Sequence, residues 1–281
     1  MSRDGSRRIP TAEATASQPP LALCGAVYPG EGVGKFSRTT RGMRDYWDDR
    51  AVENAPWYVD TSIAYDNPDM ERFLDAGRQI VDAAFVSAPV QPAGRELAVE
   101  IGPGLGRVAL AMAGHFDRVI GIDVSKEMVE RARRLVTNPA VTFVVGDGAS
   151  LQPLADGSAD LVYSFTVLQH IPKVSVVQGY VTEAARVLRP GGVTALQWNN
   201  DPHPLRWKTN AALSSVGHRL GLPSRRDNRN ARAFFGSRVP TSRMAAAMRA
   251  SGLVVEGTRD EGTLFAWIWA RKPMPEYGPT G

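Results

Sequence analysis

Three acidic residues close three successive short apolar runs: Glu100 in LAVEIG, Asp123 in VIGID and Asp147 in VVGD. The first lies beside the turn Gly102-Pro-Gly104-Leu-Gly106. Glycine lets a chain turn sharply and bring its backbone against a ligand with no Cβ in the way. The dinucleotide fingerprint G-x-G-x-x-G would need glycine at 107, where this chain has Arg107. A pyrophosphate also favours a positive helix N-terminus with no carboxylate beside it, whereas a carboxylate at 100 suits a ligand carrying an ammonium group. Asp123 is placed to accept both hydroxyls of a ribose, although nicotinamide enzymes use an acid in the same way. Asp147 can accept from an adenine amino group while the Gly148 or Ala149 N–H meets a ring nitrogen.

The elements that must position these acids follow from the alternation of apolar runs with helical stretches. RELAVEIG, RVIGID, VTFVVGD, ADLVYSF and GGVTALQW read as strands. LGRVALAMAGH, SKEMVERARRLV and VSVVQGYVTEAARVL read as helices between them, the second with Ser125 as N-cap and Glu127 in its first turn. Strands alternating with helices mean βαβ units and a mainly parallel sheet. LVVEGTR and TLFAWIWARK, separated by DEG, should close the chain as an antiparallel hairpin. Upstream, DNPDMERFLDAGRQIVDAAFV reads as an amphipathic helix with an Asn-Pro-Asp start.

The chain has 281 residues, 43% hydrophobic and 22% charged, which supports a globular domain with attachments and excludes a disordered or coiled-coil chain. A single cysteine, Cys24, excludes an internal disulfide framework and a cysteine metal cluster. No apolar run approaches the ~18 residues of a membrane span, and LALCGAV is too short for a signal peptide, so a cytoplasmic location is expected. The stretch PGEGVGKF is not a phosphate loop, because Pro29 and Phe36 stand where glycine and Ser/Thr are required. Three parts result: a mobile basic leader (1–41), an N-terminal helical lid (42–92), and a main domain (93–281) carrying an insertion at about 201–251. The net charge is +4, yet residues 205–243 hold Arg206, Lys208, Arg219, Arg225, Arg226, Arg229, Arg232, Arg238 and Arg243 against Asp227 alone. Such a segment suits an anionic acceptor or peripheral contact with an anionic membrane. With few aromatics to stack bases, no nucleic-acid partner is expected.

The stretches LAVEIGPGLGRVAL, VIGIDVSKEMVERAR, VVGDGASL, ADLVYSFTVLQHIP and RVLRPGGVTALQW together resemble the class I S-adenosylmethionine (SAM)-dependent methyltransferases of small-molecule type. The resemblance implies an α/β doubly wound seven-stranded sheet ordered 3-2-1-4-5-7-6, strand 7 antiparallel, with helices on both faces. It implies SAM as cofactor, with Glu100 near the methionine amine and Gly102 and Gly104 along the methionine and ribose. Asp123 then takes the ribose hydroxyls, Met128 or Val124 packs on adenine, Asp147, Gly148 and Ala149 read the adenine edge, and Ser164 and Phe165 close the methionine end.

Methyl transfer to a hydroxyl is helped by a base, and His170, just past the fourth strand, is the expected catalytic residue, with His203 in reserve. Tyr46, Trp47 and Trp57, with Tyr58, are candidates to close over the sulfonium or the acceptor. Metal-assisted relatives use carboxylates after strands four and five. Here Asn199, Asn200 and Asp201 follow strand five, but Ser164-Phe165-Thr166 offers no acid after strand four, so no metal is expected. The tetrad [DNS]-P-P-[YFW] of base and glutamine N-methyltransferases is absent. The expected reaction is transfer to a hydroxyl of a small molecule, glycan or lipid-linked metabolite. An N- or C-methyltransferase with His170 structural, and a non-catalytic SAM-binding module, stay open as alternatives.

Overall fold

Runs of Val, Ile, Leu and Ala that are apolar on both faces must be strands covered on both sides. The computed structural model describes residues 38–86, 88–202 and 236–275. Its strands are β1 (Leu97–Ile101), β2 (Arg118–Asp123), β3 (Val141–Val145), β4 (Ala159–Ser164), β5 (Leu188–Trp198), β6 (Val254–Arg259) and β7 (Ala266–Arg271). They form one sheet in the order β3-β2-β1-β4-β5-β7-β6. β7 runs antiparallel to both β5 and β6, and the remaining pairs are parallel. The expected doubly wound topology is therefore the observed one. β5 starts earlier than expected, at Leu188, because the LRPGG segment itself pairs Leu188 with Ala159 before the register shifts to Val193–Leu161.

Alternate residues of each strand enter opposite cores. Val99 and Ile101 join Ile122, Val162 and Leu196 under α5 (Val174–Val187), with Val177 and Val181. Ala98 joins Leu161, Tyr163 and Trp267 on the other face, under α3 (Arg107–Met112) and α4 (Lys126–Leu135), with Val108, Met112 and Val129. Glu100, one step along β1 from Val99, lies in register with Tyr163 on this second face. A helix that the sequence reading left inside the insertion, Thr241–Ala250 (here α6), buries Met244, Ala245 and Met248 beside α5.

The N-terminal part of the described chain is helical. α1 (Arg38–Val59) is interrupted at Asn54 (φ −166°, ψ 78°). Asn54 Oδ1 accepts from Trp57 N at 3.2 Å, capping the renewed helix, so Pro56 falls in a first turn, where its missing N–H costs nothing. α2 (Met70–Val81) starts at Asp69, whose carboxylate accepts from Arg72 N. A third apolar cluster of Ala51, Ala55, Ile63, Phe73, Leu105 and Met128 docks both helices on the glycine turn and α4. Among the described residues no helix is long and apolar enough to cross a membrane.

Candidate active site

At the carboxyl ends of β1 and β2, next to the point where the strand order reverses between β1 and β4, the backbone itself builds a cradle. Gly102 and Gly104 both have positive φ, 68° and 54°. A Cβ on Gly102 would lie 2.4 Å from Val167 Cγ2, and one on Gly104 2.7 Å from Val59 Cγ2. Asp123 ties this turn to the next helix: Oδ2 accepts from Gly104 N at 3.1 Å and Oδ1 from Ser125 N at 2.9 Å. Ser125 is the N-cap of α4, its hydroxyl accepting from Met128 N at 3.0 Å.

Glu100 is 3% exposed, and its Oε2 has no hydrogen-bond partner among the described residues. Burial pushes its carboxyl up to about 8, against the pull of the Arg107 guanidinium. Burial also lifts Asp123 to about 6, opposed by the N–H groups of Ser125 and Gly104. A buried carboxylate oxygen without a partner is costly, and a cation brought beside it relieves that cost. Glu100, Gly102, Gly104, Asp123, Val124 and Met128 line one cavity of about 280 Å³, and Trp47, Phe165 and His170 line the same cavity. Nine of the residues singled out in the sequence thus line a single opening.

Residues 99–196, from the heart of β1 to the end of β5, match the protein family described as "Methyltransferase domain". Over that stretch the chain is similar to methyltransferase domains. It is 43% identical to an uncharacterized 37.1 kDa protein in transposon TN4556 of Streptomyces fradiae, over 42% of this chain and 34% of that protein. It is 32% identical to the 27-O-demethylrifamycin SV methyltransferase of Amycolatopsis mediterranei, over 50% of this chain and 51% of that one. The chain thus spans about half or less of the length of these relatives. The solved structure of geranyl diphosphate C-methyltransferase from Streptomyces coelicolor A3(2), in complex with Mg2+, geranyl diphosphate and S-adenosyl-L-homocysteine, superposes with a TM-score of 0.55 at 15% identity, covering 84% of this chain and 98% of that one. That likeness is one of fold.

On the His170 side of the cavity, the loop after β4 is braced from several directions. Thr166 sits at φ 55°. His170 closes a 3-10 turn, Leu168–His170, with Nε2 3.3 Å from Gln169 Nε2 and its ring edge-on to Trp47 at 5.3 Å between centroids. Ser237 N donates to Ile171 O at 2.6 Å, and a Cβ on Gly236 would lie 1.7 Å from Gln169 O. The chain at Gly236 and Ser237 is therefore pressed onto the histidine turn. Phe165 is backed by Trp267, stacked at 6.0 Å, which stacks in turn on Trp269.

The sequence reading missed Thr166, Gln169, Arg107 and Phe265, all on the cavity wall together with Tyr58, Val59, Asp60 and Thr61. A glutamine or threonine in an apolar loop carries no sequence signal. Arg107, standing where a dinucleotide turn has glycine, did.

Several predicted residues stand elsewhere. Asp147 caps its own turn: Oδ1 accepts from Ala149 N (2.8 Å) and Ser150 N (2.7 Å), and Oδ2 from Ser150 Oγ (2.9 Å). Gly148 packs against Val124 and Thr40, so Asp147, Gly148 and Ala149 lie behind Val124 rather than on the cavity wall. Ser164 is fully buried, with its hydroxyl 3.5 Å from Ile101 O. Tyr46 backs Trp47 edge-on at 5.3 Å, and Trp57 is buried edge-on between Tyr58 and Tyr65. His203 and the basic run from 205 to 235 lie outside the described residues. The amide of Asn200 is committed to Val239 O and Gly262 N, and Asn199 Oδ1 accepts from Asp201 N. Among the described residues no group of three or more His, Cys, Asp or Glu is placed to hold a metal ion.

Proposed function

We propose that this protein transfers a methyl group from SAM to a hydroxyl of a small molecule, glycan or lipid-linked metabolite. The observation that carries the reading is the buried Glu100 carboxylate, with an unpartnered oxygen, in the same cavity as Asp123 and His170. The residues fit the cofactor: Glu100 suits an ammonium, Asp123 a ribose diol, and the positive-φ turn at Gly102 and Gly104 packs its bare backbone against Val167 and Val59 with no Cβ between. Val124 and Met128 supply an apolar seat for a purine. SAM supplies the activated methyl, already bonded to a good leaving group.

The chain's own contribution is binding, orientation and exclusion of water. Trp47, Tyr58 and residues 59–61 form the wall contributed by the N-terminal helices, which act as a lid over residues of β1 and β4. His170 takes the proton of the acceptor hydroxyl on its imidazole, the turn being held in place by Gly236 and Ser237. Deprotonation of this kind contributes typically ~10²–10⁴-fold.

The test uses methyl-labelled SAM, purified protein and extract fractionated into polar metabolites and glycans, lipids, protein and RNA, with and without EDTA. Label in the metabolite, glycan or lipid fraction is expected, together with loss of transfer in His170→Ala while S-adenosylhomocysteine (SAH) still binds. Label in protein or RNA would overturn the acceptor class. Full activity of His170→Ala would remove the base and favour an amine or carbon acceptor.

A further inference from the structure

Arg107 opens α3 directly after the glycine turn, yet its guanidinium points away from solvent and is 5% exposed. Nη1 forms an ion pair with Asp60, Nη2 lies 3.3 Å from Val59 O, and the guanidinium carbon sits 5.0 Å from the centre of the Phe73 ring. Asp60 immediately follows α1, and Val59, Asp60 and Thr61 all line the cavity. Val59 is also the side chain that abuts Gly104. One buried cation therefore fastens the end of the N-terminal helix onto the cofactor turn.

The same guanidinium acts on Glu100, the carboxylate with an unpartnered oxygen. The groups that bear on Glu100 are Arg107 and the Ala109 backbone N–H from α3, Asp123 from β2, the Tyr163 hydroxyl from β4, and Asp60 through its pair with Arg107. With Asp60 in place, the charge of Arg107 is balanced, and Glu100 is left to a cationic ligand. With Asp60 withdrawn, a buried and unpaired guanidinium stands beside Glu100, satisfies it, and repels an incoming ammonium. An unpaired buried charge is the more costly arrangement of the two.

We propose that Arg107 is a positioning residue: by pairing with Asp60 it latches the end of α1 over the cavity, and that pairing releases Glu100 to receive the ammonium of the cofactor. Lid closure and cofactor binding are then two faces of one coupling, and each strengthens the other. The inference rests on the SAM reading above and adds to it a residue that touches neither acceptor nor methyl group.

The experiment is a calorimetric titration of the full chain with SAH between pH 6 and 9, on wild type, Asp60→Asn, Arg107→Met and Arg107→Lys, with limited proteolysis of α1 alongside. Asp60→Asn keeps the shape of the site and exposes Glu100 to an unbalanced cation. Its SAH affinity at pH 7 should fall roughly tenfold, and the midpoint of its pH dependence should move down. Arg107→Met should move that midpoint up, and Arg107→Lys should restore part of the affinity. SAH should protect α1 from cleavage in wild type and not in Asp60→Asn. A purely structural ion pair would weaken binding equally at every pH and leave the midpoint where wild type has it, which would overturn the inference. Arg107→Met is the variant at risk of misfolding, and Asp60→Asn alone decides the matter. Failure of wild type to bind SAH would instead overturn the cofactor reading, and the inference with it.

Discussion

The N–H of Thr166 donates to Oε1 of Gln197 across 3.0 Å, and Thr166 is held there at φ 55°. A β-branched residue in the left-handed region costs on the order of 1–2 kcal/mol, and Gln197, 3% exposed on β5, is the side chain that meets its N–H. The loop after β4 is thus bent by a neighbouring strand rather than by its own preference. Gln197→Leu removes the acceptor of a half-buried N–H and should cost about 1–3 kcal/mol. Thr166→Gly relieves the strained φ, so it should recover part of that loss in the double variant. Urea unfolding of the four proteins checks this; strictly additive losses would argue against the coupling.

Stability of the ligand-free protein should fall as pH rises. Glu100 is pushed from 4.5 to about 8 and Asp123 from 3.8 to about 6, both chiefly by burial. A folded-state pKa above the unfolded one means that the native state binds the extra proton. The stabilising contribution is therefore full below about 4.5 for Glu100 and lost through about 8, and the Asp123 contribution is lost by about 6. Glu100→Gln should flatten the upper part of this decline while abolishing SAH binding. Chemical unfolding at pH 5, 7 and 9 with and without SAH reads both effects.

Asp48 on α1 reaches across to α4, its Oδ1 accepting from Ser125 Oγ at 2.6 Å and from Glu127 N at 3.1 Å. The two side chains together cap α4, so Ser125→Ala should cost about 1 kcal/mol. Asp48→Ala should cost less in that background than in wild type, by a coupling measurable in a double-mutant cycle. Equal costs would show that Asp48 acts only through Glu127 N.

Phe265 is 45% exposed at the cavity, on a loop braced by Gly262 N to Asn200 Oδ1 (2.7 Å) and Phe265 N to Thr263 Oγ1 (3.1 Å). A well-built turn presenting an exposed aromatic at the cavity suits contact with the acceptor. Phe265→Ala should change stability by no more than about 0.5 kcal/mol and leave SAH affinity intact, while raising KM for the acceptor. Unchanged transfer kinetics would remove Phe265 from the site.

The legible parts of this protein are those governed by near neighbours in the chain. Glu100 and Asp123 could be placed from sequence because an acid beside a glycine turn, or at the end of an apolar run, has its position set by a few residues on either side. The same holds for the Ser125 cap and for the order of strands and helices, since periodicity and capping are local. α6 escaped because TSRMAAAMRA lies after a long polar stretch and its alanine-rich face carries little periodic contrast.

Among the aromatics of α1, composition alone could not say which would reach the cavity. Tyr46, Trp47, Trp57 and Tyr58 are alike in type, and Trp47 and Tyr58 line the cavity while Tyr46 packs edge-on behind Trp47 and Trp57 is buried between Tyr58 and Tyr65. By itself the sequence determined the alternation of strands and helices, the glycine cradle and the two carboxylates at its edge, because each depends on contacts within a strand, a turn or a helix end. Only the tertiary structure decided that Arg107 meets Asp60 across 47 residues of chain, that Trp47 lies against His170 and that Gln197 holds Thr166. Those meetings depend on how separate elements pack, and the packing of one surface on another is written in no single stretch of chain.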